Sequence, residues 1–169
     1  MGVAARENSR APASGLALIL VTSAVALVLL ILAVPYYAGA SSRIASLYAN
    51  LANPADRALT ADAAGYTANE RHDLAAAKLA LSKEVETQTS FDNQLSDITF
   101  PPAADPHADL LVTADQKLIK LIKQQMTARS LRKLRAFNDR DQAAETAIEA
   151  QVRLIRADLG LPAANGQLF

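Results

Sequence analysis

The chain contains no cysteine and no tryptophan, and these absences exclude several classes of protein. Without cysteine there is no disulfide framework, no thiolate metal site and no lipid-modified cysteine at the N-terminus. Aromatic residues make up only 5% of the chain, and only 6 of its 169 residues are glycine. Alanine, which has the highest helix propensity, is abundant instead, so the composition favours helices over sheets.

No motif in the sequence is typical of catalysis or of cofactor binding. A glycine-rich phosphate loop, a nucleophile elbow, a haem-attachment motif and a zinc-binding helix with paired histidines are all missing. The 17 basic and 17 acidic residues balance to a net charge of zero, which removes a general attraction to nucleic acid. We therefore expect a protein that is not an enzyme, uses no cofactor or metal ion and does not bind nucleic acid.

One long apolar run lies near the N-terminus, over residues 16–34. Its nineteen residues carry no charge, and as a helix they extend roughly 28 Å, close to the ~30 Å hydrocarbon core of a bilayer. Pro35, Tyr36 and Tyr37 follow, and tyrosines are enriched where lipid meets water. The sequence therefore predicts a single transmembrane helix, or a signal peptide, over residues 16–37, and through it a contact with the membrane.

The flanking charges predict the orientation of this segment. The leader, residues 1–15, carries Arg6 and Arg10 with only one acid, so we expect it in the cytoplasm and residues 41–162 on the opposite side. The Ala-Gly-Ala sequence that ends at Ala40 also matches a signal-peptidase site, although the apolar run exceeds the ~7–15 residues of a typical signal peptide. Two alternatives stay open: a retained anchor in the cell membrane, and a domain secreted after cleavage at Ala40.

Helix start and stop signals divide the remainder of the chain. Asn53 and Pro54 predict the start of a short helix that ends at Gly65. Thr67 and Glu70 match a capping box, which predicts that a second helix of about thirty residues starts there.

Three prolines between Pro101 and Pro106 end that second helix, because proline cannot continue one. Asp105 is predicted to cap the next helix. Between Asp109 and Met126, apolar residues cover about half of the helix circumference. An arc that wide predicts contact with two neighbouring helices.

The last helix is predicted to begin at Ser130 or Asn138, as one long helix with a kink near Asn138, and to end before Gly160. Residues 163–169 are expected to form a flexible tail. The predicted fold is all-α, with a single N-terminal transmembrane helix followed by an antiparallel bundle of three to four helices.

Acidic and basic residues are segregated in the second half of the chain. Seven acids and no lysine or arginine occur over residues 84–115: Glu84, Glu86, Asp92, Asp97, Asp105, Asp109 and Asp115. Seven bases and no acid follow over residues 117–135: Lys117, Lys120, Lys123, Arg129, Arg132, Lys133 and Arg135. The bases predict a patch for anionic headgroups, a cell-envelope polymer or an acidic protein. The structural alternative is that acids and bases pair between antiparallel helices or complement the helix dipoles.

Three further side chains are candidates for chemistry. His72 and His107 are the only histidines, and His107 has an aspartate two residues away on either side, so a metal or acid–base site is conceivable. A solvated histidine in the first turn of a helix is the alternative that we expect. Asp115 falls inside the apolar arc of its helix, where we expect an ion pair with Lys83 or Arg140 rather than a functional acid.

Two segments, FPPAADPHADLL at 100–111 and IRADLGLP at 155–162, resemble a group of uncharacterised exported helical proteins and lipoproteins of actinobacteria-like genomes. That resemblance covers roughly residues 50–162 and implies a helical fold, with no activity to carry over. One membrane helix that leads into a bundle is also similar to the four-helix ligand-binding domain of bacterial chemoreceptors. Because no second apolar run follows Leu159 and there is no output domain, we expect no signalling role from this second resemblance.

These observations predict a membrane-tethered helical module outside the cytoplasm, which binds a protein or cell-envelope partner and catalyses no reaction. The alternative is a secreted or anchored bundle that holds a small molecule between its helices, as a carrier or a sensor does. The sequence indicates no oligomeric state.

Overall fold

The computed structural model describes the backbone of residues 14–163 and the side chains of residues 42–163. Its helices are α1 (Ser14–Asn69), α2 (Leu74–Leu95), α3 (Asp105–Gln125), α4 (Leu131–Arg135) and α5 (Asn138–Asp158). No strand occurs in the described backbone, which confirms the all-α prediction. The chain divides into two compact units, Met1–Ala40 and Ser41–Phe169, and the second contains the helical bundle.

The predicted membrane segment, residues 16–37, lies outside the residues whose side chains are described, as do the leader and most of the tail. Within residues 42–163, no helix has an apolar stretch long enough to cross a bilayer. The transmembrane helix therefore stays a prediction.

The four long helices pack as a bundle in which chain neighbours run in opposite directions. Four residues join α1 to α2, and Tyr48 of α1 contacts Phe100, which follows the far end of α2. His107 at the start of α3 contacts Gln151 in the second half of α5. Helix α3 packs against both α2 and α5, in agreement with the two neighbours that its apolar arc predicts.

The core consists of apolar side chains that recur every three or four residues along each helix. The largest fully buried ones are Tyr48, Phe91, Leu59, Leu95, Leu111, Leu118, Ile122, Leu134, Ile148 and Ile155. The rings of Tyr48 and Phe100 meet edge to face with their centroids 6.2 Å apart, a geometry that aromatic pairs prefer. Since each such side chain contributes about 1.5–3 kcal/mol on burial, core packing is the main source of stability.

Two predicted helix boundaries are wrong, because α1 runs through both of them. Pro54 and Gly65 lie inside α1, which ends at Asn69. The inner face of α1 on both sides of Pro54 is packed into the core, where Ala52 and Leu59 are buried. This packing outweighs the cost of about 3 kcal/mol that an interior proline imposes on a helix.

The predicted capping box is also wrong, because Thr67 belongs to the last turn of α1. The N-cap of α2 is Asp73, whose Oδ1 accepts a hydrogen bond from the amide of Ala76 at 2.9 Å. An aspartate at this position satisfies one of the free amides at the helix start.

At the start of α3, the N-cap is Ala104 rather than the predicted Asp105, and no side chain caps this helix. Asp105 instead lies in its first turn, where a negative charge complements the helix dipole. Leu110, predicted to belong to the apolar arc, is 51% exposed, whereas Leu111 and Leu118 are fully buried. The buried arc of α3 is therefore narrower than predicted.

The predicted single last helix is in fact two helices, because the helical conformation is interrupted between Arg135 and Asn138. Ser130 caps α4 by accepting a hydrogen bond from the amide of Lys133 at 3.3 Å, as the sequence predicts. Gly160 ends α5 with a φ of 67°, which also agrees with the prediction, since this left-handed conformation favours glycine.

A pair of aspartates lies in the core, and the ion pair predicted between Asp115 and Lys83 or Arg140 does not form. Asp115 on α3 is fully buried and interacts with Asp92 on α2, which is 7% exposed. Among the described residues, no N–H group or hydroxyl donates to either carboxylate oxygen of Asp115. Burial raises the pKa of both carboxyls, and the charge of Asp92 raises the pKa of Asp115 further. Because the neutral form of each carboxyl is favoured, we expect the pair to hold one shared proton, which one carboxyl donates to the other.

Replacing Gly65 with alanine is expected to stabilise the bundle by about 0.5–1 kcal/mol, because a helical glycine loses more backbone entropy on folding than alanine. The added Cβ would lie 3.5 Å from the Cβ of Ala80, an ordinary van der Waals distance. Urea unfolding of the full chain in mild detergent, followed by circular dichroism, measures the change. Gly160→Ala is the control and should destabilise the chain, because φ is positive there. Destabilisation by Gly65→Ala would contradict this packing.

The free energy of unfolding is expected to fall as the pH rises from 5 to 8. Folding raises the pKa of the Asp92–Asp115 pair, so the folded chain keeps a proton that the unfolded chain releases above about pH 4. Each such proton changes the free energy of unfolding by up to about 1.4 kcal/mol per pH unit. Asp115→Asn removes this proton while its amide can still donate to Asp92, so we expect the variant to lose less stability over this range, by on the order of 2 kcal/mol.

The same unfolding measurement at several pH values tests this expectation, with Asp109→Asn as the matched control, since Asp109 is exposed on the same helix. Other buried acids contribute to the pH dependence of every variant, so the informative quantity is the difference between the two asparagine variants. Identical slopes for Asp115→Asn and Asp109→Asn would exclude the shared proton.

Candidate functional site

The seven bases predicted to bind an anionic partner all lie on the surface of the bundle. Lys117, Lys120 and Lys123 are exposed and spaced three residues apart on α3, so they share one face of that helix. The other four are exposed in the loop after α3 and on α4: Arg129, Arg132, Lys133 and Arg135. We call these seven residues the basic surface.

Charge pairing, the structural alternative for these bases, is not seen in the described part of the chain. No described carboxylate lies within 4.0 Å of any base of the basic surface. The helix-dipole part of that alternative has some support, because Lys123 lies in the last turn of α3 and the bases of α4 lie near its end. Lys120 and Lys123 also line a shallow hollow of about 410 Å³, whose floor includes Ile119. The basic surface is therefore open to a partner.

The two histidines do not share a site. His72 is exposed in the turn between α1 and α2. His107 lies in the first turn of α3, with Nδ1 3.2 Å from Oε1 of Gln151 and Nε2 3.8 Å from Oδ2 of Asp158. In the described part of the chain, no group of three or more histidine or acidic side chains is placed to hold a metal ion. His107 therefore ties the start of α3 to the end of α5.

A polar cavity of about 320 Å³ opens between the four long helices, near the end of α1 and the start of α5. Its polar lining comes from all four of these helices: Tyr66 and Thr67 of α1, Glu84 of α2, Gln125 of α3, and Asn138, Asp141, Gln142 and Glu145 of α5. Leu81 and Ile122 add apolar walls. We call this cavity the acid pocket.

Tyr66 orients the amides of the acid pocket. Its hydroxyl donates to Oδ1 of Asn138 at 2.7 Å and accepts from Nε2 of Gln125 at 3.0 Å. The same Nε2 donates to the carbonyl of Leu134 at 3.3 Å, and Nδ2 of Asn138 donates to Oε2 of Glu70 at 2.9 Å. These bonds fix which end of each amide is the donor. Gln125 is only 1% exposed, and its Oε1 has no hydrogen-bond partner among the described residues.

Burial and mutual repulsion raise the pKa of the acids in the pocket. Burial, followed by the charges of Glu145 and Asp141, raises the pKa of Glu84 to about 8. Burial and then Glu145 raise the pKa of Asp141 to about 6, against a smaller opposite effect of Arg140. Burial also raises the pKa of Glu145, and it raises the pKa of Tyr66 to about 12. Negative charge is therefore costly in the pocket, mainly because its carboxyl groups are buried and in part because they repel one another.

The acid pocket has more acidic groups in its lining than a larger groove of about 440 Å³ between α1 and α2. Among the described residues that line that groove, Glu86 is the one that carries a charge. The acid pocket is smaller, but it combines three carboxyl groups with oriented amides, and no lysine or arginine is part of its lining.

The acid pocket is not predicted from the sequence. Glu84 is one member of a long acidic run there, and Asp141 and Glu145 lie beyond that run. The one local signal is that Asp141 and Glu145 are four residues apart, which places like charges on the same face of α5. Tyr66 and Gln125 are 59 residues apart, and their contact is visible only in the folded chain.

No protein-family model matches the sequence, and no curated protein or solved structure shows a significant similarity to it.

Proposed function

We propose that the chain is a membrane-tethered helical module, presented outside the cytoplasm, that binds an anionic partner of the cell envelope and catalyses no reaction. The observation that carries this proposal is the basic surface, whose seven bases are all exposed with no carboxylate within 4.0 Å in the described part. The apolar segment 16–37 and the two arginines of the leader support the tether and its orientation.

The energetics of the basic surface favour binding through many weak contacts. A base near an anionic membrane surface contributes about 1 kcal/mol, and this attraction decays within a Debye length. Seven bases along one stretch of chain therefore add up to a substantial attraction that depends on salt. Aromatic residues are not interleaved with these bases, so stacking on nucleic acid bases is not favoured.

The full chain, held in nanodiscs of zwitterionic lipid, is expected to bind anionic lipid vesicles in a flotation assay. Binding should be strong at 0.1 M salt and largely lost at 1 M, because the Debye length falls from about 10 Å to about 3 Å over this range. A soluble polyanion, inorganic polyphosphate, should compete with the vesicles, because it would occupy the same basic surface.

Two triple variants test whether vesicle binding depends on the basic surface or only on the total charge of the chain. Changing Lys117, Lys120 and Lys123 to glutamine together should weaken vesicle binding at least tenfold. The matched control changes three exposed bases elsewhere, Arg57, Lys83 and Arg153, to glutamine, and should bind nearly as well as the natural chain. Equal losses in the two triple variants, or binding that ignores salt, would remove the basic surface from the proposed function.

The orientation of the chain is testable because it contains no natural cysteine. A single cysteine at Thr89, which is exposed on α2, should react with a membrane-impermeant maleimide on intact cells. A single cysteine at Ser9 in the leader should react only after the cells are lysed. The opposite pattern would place the bundle in the cytoplasm. The mass of the mature chain then separates a retained anchor, which we expect, from a chain cleaved after Ala40.

A further inference from the structure

We propose that the acid pocket binds an aliphatic amine, a molecule with one or more ammonium groups on a short carbon chain, as in diamines and polyamines. This site lies apart from the basic surface and does not depend on its function. It gives a chemical identity to the alternative that the sequence leaves open, a bundle that holds a small molecule between its helices.

The charge of the acid pocket calls for a cation. Glu84 on α2 faces Asp141 and Glu145 on α5 across the cavity, and no base is part of the lining. The nearest base along α5, Arg140, has its guanidinium carbon 4.4 Å from the centre of the Phe137 ring, where the ring already stabilises its charge. Arg140 offsets only part of the effect of the neighbouring acids on Asp141. A positively charged ligand would therefore stabilise the ionised form of the three acids, which otherwise repel one another.

A buried amide oxygen provides a second and independent indication of a ligand. Gln125 lines the acid pocket and is 1% exposed, and its Nε2 is occupied by the Tyr66 hydroxyl and the Leu134 carbonyl. Its Oε1 has no donor among the described residues. Buried polar atoms without a partner are rare and call for an explanation. An ammonium group supplies the N–H donor that this oxygen lacks.

The walls of the pocket favour an organic cation over a bare metal ion. Leu81 and Ile122 give the pocket apolar surface. A bare metal ion gains nothing from such surface, whereas a chain of methylene groups can pack against it. The cavity of about 320 Å³ falls at the small end of the range for ligand pockets, about 300–1,000 Å³. In the described part of the chain, no three acidic or histidine side chains have a metal-binding arrangement.

Binding should depend on pH, because the acid that faces the ligand holds a proton when the pocket is empty. The pKa of Glu84 is raised to about 8, so an ammonium ligand must displace this proton at neutral pH. The titratable groups around Glu84 are Asp62 and Tyr66 on α1 and Asp141 and Glu145 on α5. Affinity for the amine should therefore rise as the pH increases from 6 to 8.5.

The probe for the experiment is 1,4-diaminobutane, added to the full chain in mild detergent at constant ionic strength. Isothermal titration should show saturable binding, and the unfolding temperature should rise with the concentration of the diamine. Butane-1,4-diol, which has the same carbon chain without charge, and magnesium chloride are the comparison ligands. Neither should bind at the concentration at which the diamine saturates.

Variants locate the site. Glu84→Gln should weaken diamine binding at least tenfold and remove most of its pH dependence, while the empty variant stays folded, because the change removes a repelled acid. Glu145→Gln is a second variant with the same expected direction, and it keeps the test decisive if the first fails to fold. Glu86→Gln, two residues from Glu84 and exposed on α2, is the matched control and should bind as the natural chain does.

Several results would overturn the proposal. Absence of saturable diamine binding, or equal binding of the diamine and the diol, would show that the pocket does not recognise ammonium. Preferential binding of magnesium would make it a metal site. An equal loss of diamine binding in Glu84→Gln and Glu86→Gln would reduce the effect to general charge. None of these results bears on the basic surface, which is proposed to bind ligands of the opposite charge.

Discussion

The structure of the bundle depends on the packing of α3 between α2 and α5. Leu111, Leu118 and Ile122 are fully buried along one side of α3, and they form the surface on which the other helices assemble. The opposite side of the same helix presents Lys117 and Lys123 to solvent. Because one helix carries both sets of residues, the packing that forms the core also sets the orientation of the lysines on the surface.

The fold class follows from the sequence, because helix periodicity and the proline-rich break over 100–106 are local signals. The boundaries inside the first half of the bundle do not follow. Pro54 and Gly65 are helix breakers by propensity, and only the burial of the surrounding face explains why α1 continues through them. In the sequence, the capping box that begins at Thr67 is a more complete signal than Asp73 alone. Asp73, the N-cap in the structure, was therefore not predicted.

The exposure of the seven bases was easier to predict than the contacts between buried side chains. A run of bases stays exposed in almost any helical arrangement, so the basic surface needs little knowledge of tertiary structure. By contrast, Asp115 could be recognised as a misplaced acid on its helix, but its partner could not, since Asp92 belongs to another helix. The acid pocket takes its lining from all four long helices, and no local pattern brings Tyr66, Gln125 and Asn138 together.

The hydroxyl of Tyr66 joins α1, α3 and α5 through one oxygen atom, at the place where each of these helices begins or ends. Helix termini fray more readily than helix centres, since they open with a small part of the global free energy of unfolding. A molecule bound beside this oxygen would restrain the ends of α1, α3 and α5 together. The empty and filled bundles would then share one shape and differ in stiffness, so that occupancy is communicated through the restraint of motion rather than through movement.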